Sequence, residues 1–118
     1  MINLDGRTFT PRSNSEGGRV QNGTLFIYEQ SGIDFIANYS GHGVSHGHII
    51  GKMTGPVTAD IVYHSRSQDG ALEAGQATVE FKNDDSQGLT MHMNWQWLNR
   101  SNAGGSKIGG TSLYKEIL

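Results

Sequence analysis

The sequence predicts an all-β fold, an eight-stranded antiparallel meander that closes into a barrel. Residues 89–98, LTMHMNWQWL, place a large apolar side chain at every second position, which is the period of a half-buried strand. Turn signals rich in Gly, Asn, Asp and Ser recur at short intervals, and no segment has the period of an amphipathic helix. Eight strands joined by short turns can close into a barrel and so remove exposed sheet edges. A two-sheet β-sandwich is the alternative architecture.

The individual strands are predicted from the apolar runs between those turn signals. The first strand should stop at Pro11, and the Gly- and His-rich residues 41–47, GHGVSHG, should form a connection. The strand at 89–98 should supply the centre of the core, with Trp95 and Trp97 facing inward. The eight predicted strands are residues 6–10, a segment within 19–30, 33–40, 48–54, 59–65, 73–82, 89–98 and 107–116.

Length and composition limit the classes of function. The 118 residues suffice for a single β-barrel domain, 1–118, around one core. Lys and Arg number 9 against 11 Asp and Glu, so no basic stripe neutralises phosphates and we expect no nucleic acid partner. The lack of cysteine excludes disulfides, thiolate nucleophiles and Cys-type zinc sites. A polar N-terminus and the absence of a run of roughly 18 apolar residues predict a soluble, cytoplasmic protein with no membrane partner.

Several predicted strands are apolar on both faces. They include residues 25–28, 35–36, 49–50 and 61–63. A strand that is solvated on one side should alternate cleanly, so part of the outer wall should be covered. Two explanations remain open. The N-terminal segment or a long loop covers this wall, or a homodimer buries the outer faces of the second to fifth strands.

Short motifs along nearly the whole chain carry a family resemblance. They are TLFIYEQSG followed by FIANYSG, then HIIGKM, VYHSRSQDG, NWQWL and GGTSLYKEI. On these motifs the chain resembles a family of small bacterial proteins that are often labelled N-acetylglutamate synthase. The architecture of that family is similar to avidin- and lipocalin-like β-barrels. The resemblance implies a barrel fold and, through the label, acetyl transfer from acetyl-CoA.

The sequence departs from the patterns that these resemblances bring with them. Acetyl-CoA pyrophosphate is usually held by a loop of backbone amides that leads into a helix, with the pattern Gln/Arg-x-x-Gly-x-Gly/Ala. The nearest stretch, residues 66–71 (RSQDGA), has its glycine one place late and leads into a strand-like segment. The early Gly-x-Trp of avidins and lipocalins is replaced by residues 6–9, GRTF. Acetyl transfer is therefore an alternative hypothesis.

His46 and His48 are the candidate metal ligands. Two histidines at i and i+2 on a strand point the same way, which suits zinc, iron or copper. His42 is close by, and His64 or His92 could supply a third ligand from another strand. The cupin pattern, which uses His-x-His on a barrel strand, also needs a glycine six residues earlier and a Glu shortly after. Position 40 is Ser, and residues 49–55 contain no carboxylate. We therefore expect exposed histidines in a polar turn, with no metal and no other cofactor.

No catalytic constellation stands out in the sequence. There is no Gly-x-Ser-x-Gly elbow that would present a nucleophile. Asp34, Asp60 and Glu80 lie within predicted strands, where a buried acid would have the raised pKa of many catalytic groups. Such residues more often face water. We therefore predict no catalytic residue, and the sequence favours a protein that is not an enzyme.

Aromatic residues give the leading functional hypothesis. Phe35, Tyr39, Tyr63, Trp95 and Trp97 are predicted to share one interior and, in a barrel that is not completely filled, to line an apolar pocket with polar anchors. A filled core is the competing interpretation, because eight strands barely enclose their own side chains. From the aromatic residues we expect a binding module for a small organic ligand. The alternatives are an acetyl-transferring enzyme and a structural or interaction protein that acts through its outer sheet face.

Overall fold

The computed structural model describes residues 1–14, 23–84, 88–98 and 109–117. Within these ranges, strands that are neighbours in sequence pair antiparallel, and the last strand pairs with the first to close a barrel. The predicted barrel is therefore confirmed, and the sandwich alternative is wrong. The strands are β1 (Thr8–Asn14), β2 (Leu25–Ser31), β3 (Asp34–Gly41), β4 (Val44–Met53), β5 (Thr58–Ser67), β6 (Leu72–Asp84), β7 (Gly88–Trp97) and β8 (Gly109–Ile117).

Strand β7 has the alternation that the sequence predicted. Its large apolar side chains are buried inside the barrel, and the polar residues between them turn outward. Because strand residues alternate between faces, this register fixes which residues of the paired strands β6 and β8 also point inward. The inward set is Leu89, Met91, Met93, Trp95 and Trp97.

Strand β1 continues past Pro11, where the sequence predicted its end. Proline has no N–H for a sheet ladder and is tolerated at edges and bulges. The register between β1 and β8 shifts between Pro11 and Ser13, and among the described residues β1 pairs with β2 at Thr8 and Phe9. Pro11 therefore lies at an irregularity of the ladder, so the strand persists there.

The segment predicted as a Gly- and His-rich connection is mostly strand. Positive φ angles at Gly41, His42 and Gly43 make the turn between β3 and β4 tight, and β4 begins at Val44. The prediction of a longer turn is wrong because the glycines that suggested it are used in two ways. Gly41 and Gly43 form the turn, whereas Gly47 lies inside β4.

The N-terminal segment closes one end of the barrel. Leu4 is fully buried, and its N–H donates a hydrogen bond of 2.8 Å to Oε1 of Gln30. The amide Nε2 of Gln30 donates in turn to the carbonyl of Ile2 at 3.0 Å. We call this the plugged end. The apolar side chains around it are Leu4, Phe9, Phe81, Leu89 and Met91, all between 0 and 4% exposed.

An ion pair joins the N-terminal segment to the last strand. Nη1 of Arg7 donates to both carboxylate oxygens of Glu116, at 2.8 and 2.7 Å. The same carboxylate accepts the backbone N–H of Leu89 at 3.0 Å. Glu116 is buried, so these contacts provide the partners that a carboxylate removed from water requires.

Apolar residues on the outer wall remain exposed. Ile36 lies opposite Ile50, and Ile50 opposite Val62, across β3, β4 and β5. Their exposed fractions are 37, 59 and 51%. We call these three residues the outer apolar row. The N-terminal segment does not cover this row, because it lies across the end of the barrel. In the part of the chain that the structure describes, no helix is long and apolar enough to cross a membrane.

Candidate functional site

The barrel interior becomes polar toward the end opposite the N-terminal plug. Polar groups from β3, β5, β6 and β8 point inward there, close to the turns that end β3 and β5. The alternation of each strand places them on the same face as its core residues. We call this region the polar end. Among its polar members are Tyr39, Ser65, Glu73, Ser112 and Tyr114, all buried.

Tyr39 lies at the centre of the polar end. Its ring stacks on Phe26, with centroids 4.4 Å apart, and its hydroxyl lies 3.4 Å from the carbonyl of His64. Burial raises the pKa of Tyr39 to about 12; a hydrogen bond from Ser65 lowers it, and the nearby charge of Glu73 raises it. The Tyr39 hydroxyl is therefore neutral at physiological pH and can both donate and accept.

Glu73 is a buried carboxyl group beside Tyr39. In the pairing of β5 with β6 it lies directly opposite Ser65, and both side chains face the interior. Its influence on the Tyr39 pKa shows that the two groups are close. Ser65, Glu73 and Tyr39 thus form one polar group across the neighbouring strands β3 to β6, with Gly47 of β4 between Tyr39 and Ser65.

A second polar group forms around Ser112 on β8. The indole Nε1–H of Trp95 donates to Oγ of Ser112 at 2.8 Å. Ser112 also hydrogen-bonds Tyr114. Burial raises the pKa of Tyr114, and the nearby Tyr39 raises it further. The Tyr114 hydroxyl is therefore neutral as well, and the influence of Tyr39 places the two polar groups in one region.

An aromatic wall completes the polar end. The rings of Tyr63 and Trp97 meet edge to face at 5.6 Å, and those of Trp95 and Trp97 do so at 5.9 Å. This geometry is the preferred one for aromatic pairs. The Tyr63 hydroxyl lies 3.5 Å from the carbonyl of Gln96. The wall offers flat apolar surface beside the hydroxyl groups.

Two glycines allow aromatic rings to lie flat against the inside of the barrel. A Cβ at Gly47 would lie 2.2 Å from the ring of Tyr39, and one at Gly75 would lie 2.3 Å from the ring of Tyr63. The rings therefore occupy the space where a side chain of the neighbouring strand would stand. They cover the inner wall of the barrel at these positions.

Several inward positions at the polar end carry small residues. They are Gly47, Ser65, Gly75 and Ser112, and the rings of Tyr39 and Tyr63 lie over the two glycines. Large side chains stand at the same end, among them Phe26, Trp95 and Trp97. The polar end is therefore distinguished by its buried hydroxyl and carboxyl groups.

Comparison with known proteins adds the family to this geometry. The family model for the avidin-like proteins matches residues 2–116, which is nearly the whole chain.

The chain belongs to the avidin-like protein family.

No curated protein and no solved structure gives a match. The closed barrel is the architecture that the resemblance implied, so fold and family agree. The N-acetylglutamate synthase label and the lipocalin likeness are not part of this match and stay predictions.

The structure of this avidin-like chain brings together four of the five predicted ligand-binding residues. Tyr39, Tyr63, Trp95 and Trp97 all lie at the polar end. Phe35 does not, because its ring lies over Gly51 and packs against Tyr28, with centroids 6.0 Å apart, deeper in the barrel.

Sequence reasoning missed the small polar members of the site. Ser65 has the same parity as Ile61 on β5, Glu73 the parity of Val79 on β6, and Ser112 the parity of Tyr114 on β8. Extending the alternation of each strand to its end is the signal that finds them. The acids singled out from the sequence, Asp34, Asp60 and Glu80, are all exposed instead.

The predicted metal ligands lie outside the barrel. His46 and His48 are both on β4 and face outward, so the expectation of a turn is wrong for His46, whereas His48 lies in a strand as the predicted range 48–54 has it. His46 is exposed and His48 is half-buried. Among the described residues, no group of three His, Cys, Asp or Glu side chains is placed to hold a metal ion.

The stretch compared with an acetyl-CoA loop has a different structure. Residues 66–71 run from the end of β5 through a tight turn, and β6 follows at Leu72. The turn is closed by hydrogen bonds from the N–H of Ser67 to the carbonyl of Ala71 at 2.9 Å and from the N–H of Gly70 to the carbonyl of Ser67 at 3.0 Å. These amides are used within the turn, and a strand follows where a pyrophosphate site would have a helix N-terminus.

Proposed function

We propose that this avidin-like protein binds a small organic molecule at the polar end of its barrel. The observation that carries the proposal is the group of buried hydroxyl and carboxyl side chains at inward positions of one end. Tyr39, Ser65 and Glu73 belong to this group, while the other end is closed by Leu4. An eight-stranded barrel is wide enough for one small ligand when its side chains do not fill it.

The chemistry of the polar end indicates the kind of ligand. Neutral hydroxyl groups on Tyr39 and Tyr114 and the carboxyl group of Glu73 offer donors and acceptors within a low-dielectric interior. Trp95 and Trp97 offer flat apolar surface. A compact molecule with a polar head that carries N–H or O–H groups, and an apolar body that packs on the indoles, fits this combination.

The proposal is tested by titration with a library of small metabolites that includes biotin. Both tryptophans of the chain lie at the polar end, so ligand binding should change the intrinsic fluorescence. Compounds that change it are then measured by isothermal titration calorimetry. We expect at least one compound to bind with a stoichiometry of one per chain.

A matched pair of variants locates the binding. Tyr39→Phe removes one hydroxyl at the polar end, whereas Tyr28→Phe removes a hydroxyl that lies 3.6 Å from the sulfur of Met91 deeper in the barrel. Losing one buried hydrogen bond to a ligand costs about 1–3 kcal/mol, which is roughly five- to 150-fold in Kd. We expect this loss for Tyr39→Phe and less than a twofold change for Tyr28→Phe. Equal effects of the two variants, or a library without any binder, would refute the proposal. Turnover of acetyl-CoA with glutamate by the same protein would favour acetyl transfer instead.

The outer apolar row supports a second candidate role, association with a second copy of the chain. Ile36, Ile50 and Val62 form a continuous exposed row over three paired strands. Next to it, Lys52 stands between Asp34 and Asp60 in the sheet. The same surface therefore carries charges of both signs, and the lysine of one copy can meet an aspartate of the other. A self-complementary surface of this kind suits a two-fold dimer.

The oligomeric state tests this second role. Light scattering coupled to size exclusion should give twice the chain mass for the wild type, and Ile50→Lys should shift it to the monomer. Leu72→Lys is the control, because Leu72 is equally apolar and 73% exposed but lies outside the row. A monomeric wild type at micromolar concentration contradicts the dimer.

A further inference from the structure

Two histidines face each other on the outside of the barrel. His48 on β4 lies directly opposite His64 on β5, and their ring centroids are 5.6 Å apart. Directly opposite residues of antiparallel strands have Cβ atoms about 4.5–5.5 Å apart, so both side chains reach the same point in space. The pair lines a concavity over β4, β5 and the start of β6, which His46 and Arg66 also line.

We propose that His48 and His64 together bind one divalent transition-metal ion, such as Zn²⁺, Ni²⁺ or Cu²⁺. Each histidine supplies one ring nitrogen, and water fills the remaining positions. Imidazole nitrogen is a preferred ligand of these ions, whereas Mg²⁺ and Ca²⁺ require oxygen ligands. The site therefore selects borderline-soft cations.

The distances fit a two-nitrogen site. With metal–nitrogen bonds of about 2.0–2.1 Å and tetrahedral angles, the two ligating nitrogens lie about 3.3 Å apart. A ring nitrogen lies about 1 Å from its ring centroid, so the separation of 5.6 Å allows this spacing when the two rings turn toward each other. The terminal torsion of histidine is broad, so that turn has a low cost.

Asn38 orients one of the two rings. Its Oδ1 lies 3.1 Å from Nδ1 of His48, and Asn38 is opposite His48 in the pairing of β3 with β4. With Nδ1 of His48 held by Asn38, Nε2 is the ring nitrogen left to bind a metal ion. A hydrogen bond to the nitrogen that does not bind metal is the usual support of a histidine ligand. The second metal ligand, His64, thus lies on β5, and the residue that supports His48, Asn38, lies on β3.

The structure also separates this pair from the pair that the sequence suggested. His46 faces the same side as His48 but lies opposite Arg66, whose Nη1 donates to Oγ of Ser45 at 3.2 Å. Arg66 also lines the concavity of His48 and His64, but its positive charge lies directly opposite His46 and opposes a cation most strongly there. The favourable partner of His48 is therefore across the sheet, on β5, and not along its own strand.

The test uses untagged protein and titrates ZnCl₂ and NiCl₂ by isothermal titration calorimetry, with MgCl₂ as a further probe. The wild type should bind one Zn²⁺ or Ni²⁺ per chain and no Mg²⁺. His64→Gln should weaken binding at least tenfold. His46→Gln is the matched control, because it also leaves His48 in place, and it should change Kd less than twofold. Asn38→Ala should weaken binding by up to about tenfold, the lower range for a supporting partner.

Each other outcome overturns the proposal. An unchanged Kd in His64→Gln, or an equal loss of affinity in His46→Gln and His64→Gln, would contradict His48 and His64 as the metal site. Absence of stoichiometric binding by the wild type would do the same. All three histidines are on the outer surface, so circular dichroism and the metal-free melting temperature should match the wild type and exclude misfolding as the cause.

Discussion

Gly47→Ala should destabilise the protein by forcing the ring of Tyr39 off the barrel wall. The added Cβ would lie 2.2 Å from the ring, and an ordinary contact is about 3.5–4.0 Å, so the ring has to move by about 1.3–1.8 Å. Overpacking of this kind costs about 1–3 kcal/mol. Loss of the stacked contact with Phe26 adds about 0.5–1.5 kcal/mol to this cost. Alanine also restricts the unfolded chain, which offsets the cost by about 0.4–1 kcal/mol. The net loss should be about 2 kcal/mol.

A double-mutant cycle isolates the contact that causes this loss. Tyr39→Val removes the ring and keeps a good strand former, so Gly47→Ala in that background should cost nothing or stabilise slightly. Urea unfolding followed by tryptophan fluorescence gives all four free energies of unfolding. The expected coupling between the two positions is about 2 kcal/mol. Effects that add to within about 0.5 kcal/mol would refute the idea that the ring lies against Gly47.

Three further results follow from the plug, the ion pair and the buried hydroxyl. Leu4→Ala should lower the free energy of unfolding in urea by about 2–4 kcal/mol. Leu25→Ala, at a leucine that is 45% exposed, should change it by no more than about 0.5 kcal/mol. Equal values for the two variants would contradict the plug. Arg7→Gln leaves the buried Glu116 without its cation and should lower the free energy of unfolding by about 1–3 kcal/mol. The loss stays below that of a fully buried pair because Arg7 is partly exposed. Most of the difference between variant and wild type should remain in 1 M salt. Burial raises the pKa of Tyr39 from 10 to about 12, so the folded state holds this proton more tightly than the unfolded state. Its contribution of about 2–3 kcal/mol is complete below pH 10 and is lost as pH rises through 12. Urea unfolding at pH 9 and pH 11 should show a smaller dependence on pH in Tyr39→Phe, and an identical dependence would contradict the buried hydroxyl.

The barrel was predictable because strand alternation and turn residues are local signals. The period of two in β7 identified its inward residues correctly. Errors arose where one residue type has several uses. The run of glycines around His46 suggested a flexible turn, yet Gly47 is needed inside β4 because the Tyr39 ring leaves no space for a Cβ. That contact depends on the register between β3 and β4, which the sequence of either strand does not contain.

The candidate site was predictable only in part for the same reason. Large aromatic residues are conspicuous, so Tyr39, Trp95 and Trp97 were found. Ser65 and Glu73 are polar residues near strand ends, where solvent exposure is the ordinary expectation. Their inward orientation follows from alternation, but their meeting with Tyr39 follows from the registers of β3 to β6, which bring Tyr39, Gly47, Ser65 and Glu73 into one row.

A crystal structure of the protein with the best ligand from the metabolite screen tests the central claim most directly. We expect ligand density inside the barrel, bounded by Trp95 and Trp97 and within hydrogen-bonding distance of the Tyr39 hydroxyl or of Ser65. Density only on the outer wall, with the side chains of the polar end in contact across the lumen, would contradict it.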